Sequence, residues 1–120
     1  MRRIIVECNG KKAYAKILDK NPRTAEALLN NLPIEGVALK WGEEYYFYTN
    51  IEIEEENSQI EMEIGDIAYW PEGKAICIFL GLTPISKDKP VAISPVNLFA
   101  KLEESLKIEE GSKVCIRKEK

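Results

Sequence analysis

The chain has 120 residues, of which 45% are hydrophobic and 31% are charged. This size and composition predict one folded domain, residues 1–120, and argue against intrinsic disorder. The formal net charge of −3 argues against a nucleic-acid binder, which would normally present a basic face, so we expect no nucleic-acid partner.

The rest of the composition indicates where the protein works. No apolar run is long enough to span a membrane or to act as a signal peptide, so we expect a cytoplasmic protein with no membrane partner. The cysteines, Cys8, Cys77 and Cys115, are widely spaced among apolar neighbours, which favours buried small side chains over a disulfide. Abundant glutamate and lysine with a single glutamine resemble the surface of a thermophile's protein.

The first predicted elements are a hairpin and a helix. Residues Arg3–Cys8 and Ala13–Leu18 predict two strands joined at Asn9-Gly10, a pair that readily takes the positive φ angles of a tight turn. Asn21, followed by proline, then predicts the N-cap of a helix. Leucines at helical spacing give this helix one apolar stripe, which ends at Pro33.

Strands are predicted along the middle of the chain. Gly36–Trp41 and Glu44–Thr49 flank a glycine, and the second of these strands is dense in aromatic residues. Ile60–Ile64 alternates isoleucine and methionine with glutamate, which predicts a half-exposed strand. Ile67–Trp70 is a short strand, and Ala75–Leu80, apolar at every position, predicts a central strand covered on both faces.

The last third of the chain contains one ambiguous segment. Residues 91–102 alternate as a strand would, although Leu98, Leu102 and Leu106 also fit a helical stripe. We favour a strand through Leu102, a short helical turn near Glu103–Leu106 and a final strand at Val114–Arg117. Many short strands with one helix predict a mostly β fold, a closed β-barrel of about eight strands capped by one main α-helix.

The sequence lacks the residues on which common enzyme chemistry depends. It contains no histidine, which removes the usual general base, the catalytic triad and the commonest zinc ligand. It has no Cys-x-x-Cys pair and no Gly-rich phosphate loop. Glu54–Glu56 could attract calcium, but a solvated polar loop is the favoured interpretation. We therefore assign no catalytic residue, no metal site and no cofactor.

Aromatic residues are the strongest indication of a binding site. They cluster in residues 41–48 and 69–79, and most should pack within the core or on a sheet face. The aromatic residues at strand ends are the best candidates for a pocket. The candidate ligand-binding residues are Trp41, Tyr46, Phe47, Trp70, Pro71, Phe79, Thr83 and Pro84.

Several of these segments resemble the small prokaryotic cyclophilin-like family. The resemblance rests on GDIAYWPEGKAICIFLG, on Thr83-Pro84 and on Ser94–Asn97, with NPRTAEALLNNLP and WGEEYYF in the right order. It covers nearly the whole chain and implies a cyclophilin-type barrel capped by a helix. One departure is Gly81-Leu82-Thr83-Pro84, where the family commonly has Gly-Pro-Thr-Pro.

The helix start, Pro22–Glu26, also resembles that of true cyclophilins, which are peptidyl-prolyl isomerases. The arginine and the histidine that true cyclophilins use have no counterparts here, so the resemblance carries over no catalytic residue. We expect a non-catalytic module that binds a peptide or a small apolar ligand in an aromatic groove. The alternatives are a weak peptidyl-prolyl cis-trans isomerase and a structural or oligomerising protein, and the oligomeric state stays open.

Overall fold

Short alternating segments separated by tight turns give ten strands and one helix in the computed structural model, which describes residues 2–119. Eight of the strands have six residues or fewer, and the longest has 12 residues. The elements are β1 (Arg3–Cys8), β2 (Lys11–Ile17), α1 (Pro22–Leu29), β3 (Ile34–Val37), β4 (Leu39–Trp41), β5 (Glu44–Tyr48), β6 (Gln59–Glu61), β7 (Asp66–Trp70), β8 (Ala75–Phe79), β9 (Val91–Leu102) and β10 (Lys113–Lys118).

The strands form one antiparallel sheet in the order β3-β10-β1-β2-β9-β7-β8-β5-β4, with β6 paired to β9 off this path. The mostly β architecture with one helix is confirmed. The expected closure and the count of about eight strands are wrong, because nine strands form an open path and β6, paired to β9, makes ten in all. Its two edge strands, β3 and β4, are consecutive in the chain and are separated only by the buried Ala38. The two edge strands are therefore joined by the chain at Ala38 and not by strand pairing.

The opening hairpin is confirmed at Asn9-Gly10. Asn9 has a φ of 54° and Gly10 a φ of 78°, the left-handed values that a two-residue hairpin turn requires. The turn sets Cys8 opposite Lys11 in the register of β1 and β2. As a result, the apolar residues of both strands face the same core.

Helix α1 covers the larger of two apolar clusters. Ala25 and Leu28 are buried against strand residues such as Ile4 and Phe99. The helix ends at Leu29, before the proline at which the sequence predicted its end. The apolar stripe of α1 thus covers one face of the sheet, as expected of an amphipathic helix.

Asn21 occupies the predicted N-cap position of α1, but its side chain does not act as the cap. Its side chain makes no capping hydrogen bond, and its amide Nδ2 donates instead to the carbonyl of Leu98 at 2.8 Å. The carboxylate of Glu56 caps the helix from a distant loop, accepting from the backbone N–H groups of Thr24 at 2.9 Å and Arg23 at 3.1 Å. Tertiary structure therefore supplies the acceptor that the local sequence was expected to supply.

A second, smaller apolar cluster lies on the opposite face of the sheet. In β8, Ile76 and Ile78 belong to the main cluster, whereas Cys77 and Phe79 belong to the second. All five residues of β8 are buried, so the prediction of a central strand covered on both faces is confirmed. The second cluster forms the base of the site described below.

Two other segments differ from their predictions. The strand β6 stops at Glu61, and in the segment Ile60–Ile64 only Met62 is buried, because Ile60 and Ile64 are 44% and 61% exposed. The strand through Leu102 is confirmed, but residues 103–106 bend without forming the expected helical turn. In both places the chain leaves the sheet, so its side chains no longer follow the period of a strand.

Cys8, Cys77 and Cys115 are all free thiols, and Cys8 and Cys77 are buried as small apolar side chains would be. Within residues 2–119, no helix is long and apolar enough to cross a membrane.

Candidate ligand-binding pocket

An open cavity of about 210 Å³ lies on the sheet face that carries the second apolar cluster. Residues from β4, β5, β7, β8 and β9 form it, so it spans the middle of the sheet and one edge. The residues that line it are Trp41, Glu44, Tyr46, Trp70, Cys77, Ala92, Ile93 and Val96.

Strand alternation decides which side chains of β5 reach this cavity. Successive side chains of a strand point to opposite faces. Glu44 and Tyr46 therefore line the cavity, while Phe47 is buried in the main cluster on the other face. Opposite Tyr46, the ladder places Cys77 of β8 at the base.

Two aromatic rings form a rigid wall of the cavity. The rings of Tyr46 and Trp70 meet edge to face, with centroids 6.4 Å apart and planes at 86°. The indole Nε1 of Trp70 donates to Oγ of Ser94 at 2.6 Å. Gly73 lies directly against the same indole, since a Cβ atom at this position would overlap the ring carbons. The orientation of Trp70 is thus set by a hydrogen bond and by the absence of a side chain.

Trp41 is held at the other side of the cavity by a tight turn. Gly42 has a φ of 64°, and a Cβ atom on it would lie 2.8 Å from the carbonyl oxygen of Leu82 and from Cδ of Pro84. The N–H of Glu43 donates to that same carbonyl at 2.8 Å. Only glycine fits this approach without strain, so the turn fixes the strand end that carries Trp41.

Glu44 is the unusual group of the cavity. It is only 6% exposed, and its Oε1 has no hydrogen-bond partner among residues 2–119. Burial raises the pKa of this carboxyl above its ordinary value, and a hydrogen bond from the thiol of Cys77 opposes part of the rise. The carboxyl therefore retains a free acceptor, or holds a proton, next to the cavity.

Cys77 offers no reactive thiolate. Its side chain is buried, and burial together with the neighbouring Glu44 raises the pKa of the thiol well above its ordinary value. The thiolate is the nucleophilic form of cysteine. Cys77 therefore contributes polarity and shape to the base of the cavity rather than nucleophilic chemistry.

The cavity brings together three of the eight predicted site residues, Trp41, Tyr46 and Trp70. Phe79 is fully buried in the second cluster and does not line the cavity. Pro71 lines a separate surface depression beside Tyr69. The prediction that these two residues share the site with the tryptophans finds no support in the placement of their side chains.

Thr83 and Pro84 belong to the loop that supports the cavity. The hydroxyl of Thr83 donates to the carbonyl of Val91 at 2.6 Å, and its backbone N–H donates to Oγ of Ser86 at 2.8 Å. Pro84 is exposed and packs against Gly42. Neither residue lines the cavity, so both position it indirectly.

Sequence reasoning missed five lining residues. Glu44 was detectable, because it shares its strand face with Tyr46 two residues later. Nothing in the local sequence places the β9 residues here, since they reach the cavity only through the long-range pairing of β9 with β7. The missed residues are Glu44, Cys77, Ala92, Ile93 and Val96.

The segment Ser94–Asn97 serves largely to organise structure. Asn97 is fully buried; its Oδ1 accepts from the N–H of Glu56 at 3.0 Å. Its Nδ2 donates to Oγ1 of Thr24 at 3.1 Å and to the carbonyl of Glu54 at 2.9 Å. Asn97 therefore links β9, the acidic loop and the start of α1.

Catalysis could draw on metal ligands or on an arginine beside the cavity. Within residues 2–119, no group of three or more cysteine, aspartate or glutamate side chains is placed to hold a metal ion. No arginine lines the cavity. Arg3 pairs with Glu103 and Glu119, and Arg117 pairs with Glu7, all at the surface.

Comparisons with known proteins identify the fold. A family model described as cyclophilin-like matches residues 2–117, while no curated protein matches. The solution structure of the hypothetical protein AF2241 from Archaeoglobus fulgidus is 35% identical, with a TM-score of 0.83, over 98% of this chain and 95% of that one. The structure of McbB in complex with tryptophan is 14% identical, with a TM-score of 0.70, over 96% of this chain and only 44% of McbB. The chain therefore belongs to the cyclophilin-like family.

Proposed function

We propose that this protein is a binding module whose pocket accepts one small apolar group, either a free ligand or a side chain of a peptide. The observation that carries this proposal is the open cavity between Trp41, Tyr46 and Trp70. Pockets lined by aromatic rings with a few polar groups are the usual form of small-molecule sites.

The size of the cavity limits the ligand. A dry cavity of about 150 Å³ is enough to hold benzene, and drug-sized ligands occupy pockets of roughly 300–1,000 Å³. The cavity here, about 210 Å³, lies between these values. It therefore suits a single ring or one large side chain, and any further part of a peptide would lie on the surface.

The same size predicts a weak interaction for an isolated probe. Burying about 200 Å² of apolar surface contributes roughly 5 kcal/mol. The loss of translational and rotational freedom offsets much of this gain. We expect dissociation constants on the order of millimolar for a single ring, and tighter binding where flanking groups also contact the protein.

Tryptophan belongs among the probes, since the McbB structure contains it. At 14% identity that likeness concerns the fold alone, so it assigns no residue of this chain to a ligand. A side chain of that size is close to the upper limit that the cavity can hold. Ethylbenzene provides a smaller probe without polar groups.

Intrinsic fluorescence tests the proposal directly, because the chain has two tryptophans and both line the cavity. Titration with ethylbenzene should change the emission with saturation, and Trp70→Ala should weaken binding by about tenfold or more, as loss of a large aromatic contact does. Tyr14→Ala is the matched control, because Tyr14 is an aromatic residue of β2 that packs under Arg3 outside the cavity. Unchanged affinity in Trp70→Ala would show that the pocket is not the binding site.

The weak-isomerase alternative is tested with the same protein in an NMR exchange assay on X-Pro peptides. A donor placed at a developing charge typically contributes about 3–4 kcal/mol to catalysis, and the lining residues offer no arginine for this role. We expect no acceleration of proline isomerisation at high protein concentration. Acceleration that disappears in Trp70→Ala would replace the binding proposal with the isomerase.

A further inference from the structure

We propose that the natural ligand carries a cationic amine next to its apolar group, and that Glu44 is the residue that binds the amine. This inference rests on the proposed function of the pocket and names the chemical class of its ligand. The starting observation is the free Oε1 of Glu44, a buried acceptor at the edge of an open cavity.

A buried carboxyl without a partner is uncommon. The large majority of buried polar groups have at least one hydrogen-bond partner, and an unmet one costs about 1–3 kcal/mol. Glu44 is 6% exposed and takes part in none of the ion pairs found in residues 2–119. Its Oε1 is therefore left without a partner within the described residues and is available to a ligand.

Asp66 is a second buried carboxylate, and it differs from Glu44 because both of its oxygens have partners. Asp66 is 3% exposed, and its Oδ2 accepts from the N–H of Glu63 at 2.8 Å. Its Oδ1 pairs with Nζ of Lys101 at 3.3 Å. Because the fold satisfies both oxygens of Asp66, the unsatisfied oxygen of Glu44 reflects its place beside the cavity.

The surroundings of Glu44 favour a cation over a neutral donor. Charge-assisted hydrogen bonds are roughly twice as strong as neutral ones. The faces of tryptophan and tyrosine rings also attract cations, and Trp41, Tyr46 and Trp70 line the same cavity. No lysine or arginine lines it, so no neighbouring cation would repel a bound amine, and the amine would itself favour the charged form of Glu44. An anionic ligand would face a buried carboxyl and should be rejected.

Three probes of similar size separate this inference from the proposed function. Ethylbenzene tests the apolar pocket alone, benzylamine adds an ammonium group, and benzoate adds a carboxylate. In the unmodified protein we expect benzylamine to bind about tenfold more tightly than ethylbenzene, as a desolvated charge pair permits, and benzoate to bind more weakly than either.

The variant Glu44→Gln should abolish the preference for benzylamine over ethylbenzene, because it removes the charge while keeping the size of the side chain. Glu43→Gln is the matched control, since it removes the same charge from an exposed neighbour that pairs with Lys40. A preference that survives in Glu44→Gln would overturn the role of Glu44. Equal binding of benzylamine and ethylbenzene to the unmodified protein would overturn the inference alone, whereas failure of every probe would overturn the proposed function.

Discussion

Glu44 and Cys77 show how one apolar environment affects two titratable groups. Burial raises the pKa of both side chains above their ordinary values, which shifts both towards their neutral forms. They differ in their availability to a ligand, because Glu44 keeps an unpaired oxygen while Cys77 is enclosed in the second apolar cluster. Glu44 is therefore the group in which a change of charge can accompany binding.

The raised pKa of Glu44 predicts a pH-dependent stability. Between the ordinary pKa and the raised one, the folded carboxyl holds a proton that the unfolded carboxyl has released, so stability falls as pH rises through this range. The other titratable groups facing Glu44 are Cys77 of β8 and Tyr46 of β5, and the lining residues of β4, β7 and β9 carry none. Both of these neighbours stay neutral in this range.

We expect Glu44→Gln to lack this pH-dependent contribution to the free energy of unfolding. Urea unfolding at several pH values should show that the variant gains stability relative to the unmodified protein as pH rises towards neutrality, and that the difference vanishes at acidic pH. Glu43→Gln should track the unmodified protein across the same range. A difference between Glu44→Gln and the unmodified protein that does not change with pH would contradict the assigned shift.

Gly73 provides a residue-scale test of how Trp70 is oriented. A methyl group at this position would overlap the indole ring, so Gly73→Ala must displace the ring or the turn. Forcing extra atoms into a packed site typically costs about 1–3 kcal/mol. We expect reduced stability of this order and a loss of ethylbenzene affinity comparable to that of Trp70→Ala, both measurable by fluorescence. A variant with normal affinity would show that the orientation of Trp70 does not shape the pocket.

At the scale of elements, helix α1 depends on a contact from outside its own sequence. Glu56 accepts from the hydroxyl of Thr24 at 2.7 Å as well as from two backbone N–H groups at the helix start. Burial alone would raise the pKa of Glu56, but these hydrogen bonds outweigh it and lower the pKa below its ordinary value. The charged form of Glu56 therefore stabilises the fold.

Removing this cap should destabilise the protein. We expect Glu56→Gln to lower the free energy of unfolding by about 1 kcal/mol at neutral pH, the typical value of a lost helix cap. Because the folded pKa is lowered, the contribution is present above the ordinary pKa and is lost as pH falls through the lowered one. Chemical denaturation at neutral and acidic pH measures both effects. Glu54→Gln, which removes an equal charge from an exposed side chain of the same loop, should change little.

Elements were predictable from sequence where periodicity and turn chemistry agreed. Asn9-Gly10 and the apolar run of β8 each carry both signals, and both predictions hold. The alternation at Ile60 and Ile64 failed, because the strand that pairs with β9 has only three residues and ends at Glu61. The cap from Glu56 was unpredictable, since it joins segments 32 residues apart.

At the scale of the whole molecule, the pocket depends on how the sheet brings its strands together. Its residues come from positions 41 to 96, and the pairings of β5 with β8 and of β7 with β9 place them on one face. Sequence reasoning found the aromatic walls because Trp41 and Trp70 end strands. It also placed Phe47 in the site, and the alternation of β5 sends this residue to the main core.

The approach of the edge strand β3 to β5 also predicts a test of the architecture. Gly36 of β3 packs on Phe47 of β5, where a Cβ atom would lie 2.6 Å from a ring carbon. We expect Gly36→Ala to lower the free energy of unfolding by about 2 kcal/mol, since the buried ring cannot move without disturbing the core. Val37→Ala, at an exposed neighbouring position, should leave stability within about 0.5 kcal/mol of the original. Equal stability of both variants would contradict this packing.

The central claim is that the cavity on the second face of the sheet binds a small apolar group. The most direct measurement is an NMR titration that follows the two indole N–H signals, which report on Trp41 and Trp70 alone. With ethylbenzene, we predict saturable shifts of both signals, accompanied by backbone shifts confined to β4, β5, β7, β8 and β9 around the cavity. Indole signals that stay in place up to the solubility limit, or shifts centred elsewhere on the sheet, would contradict the claim.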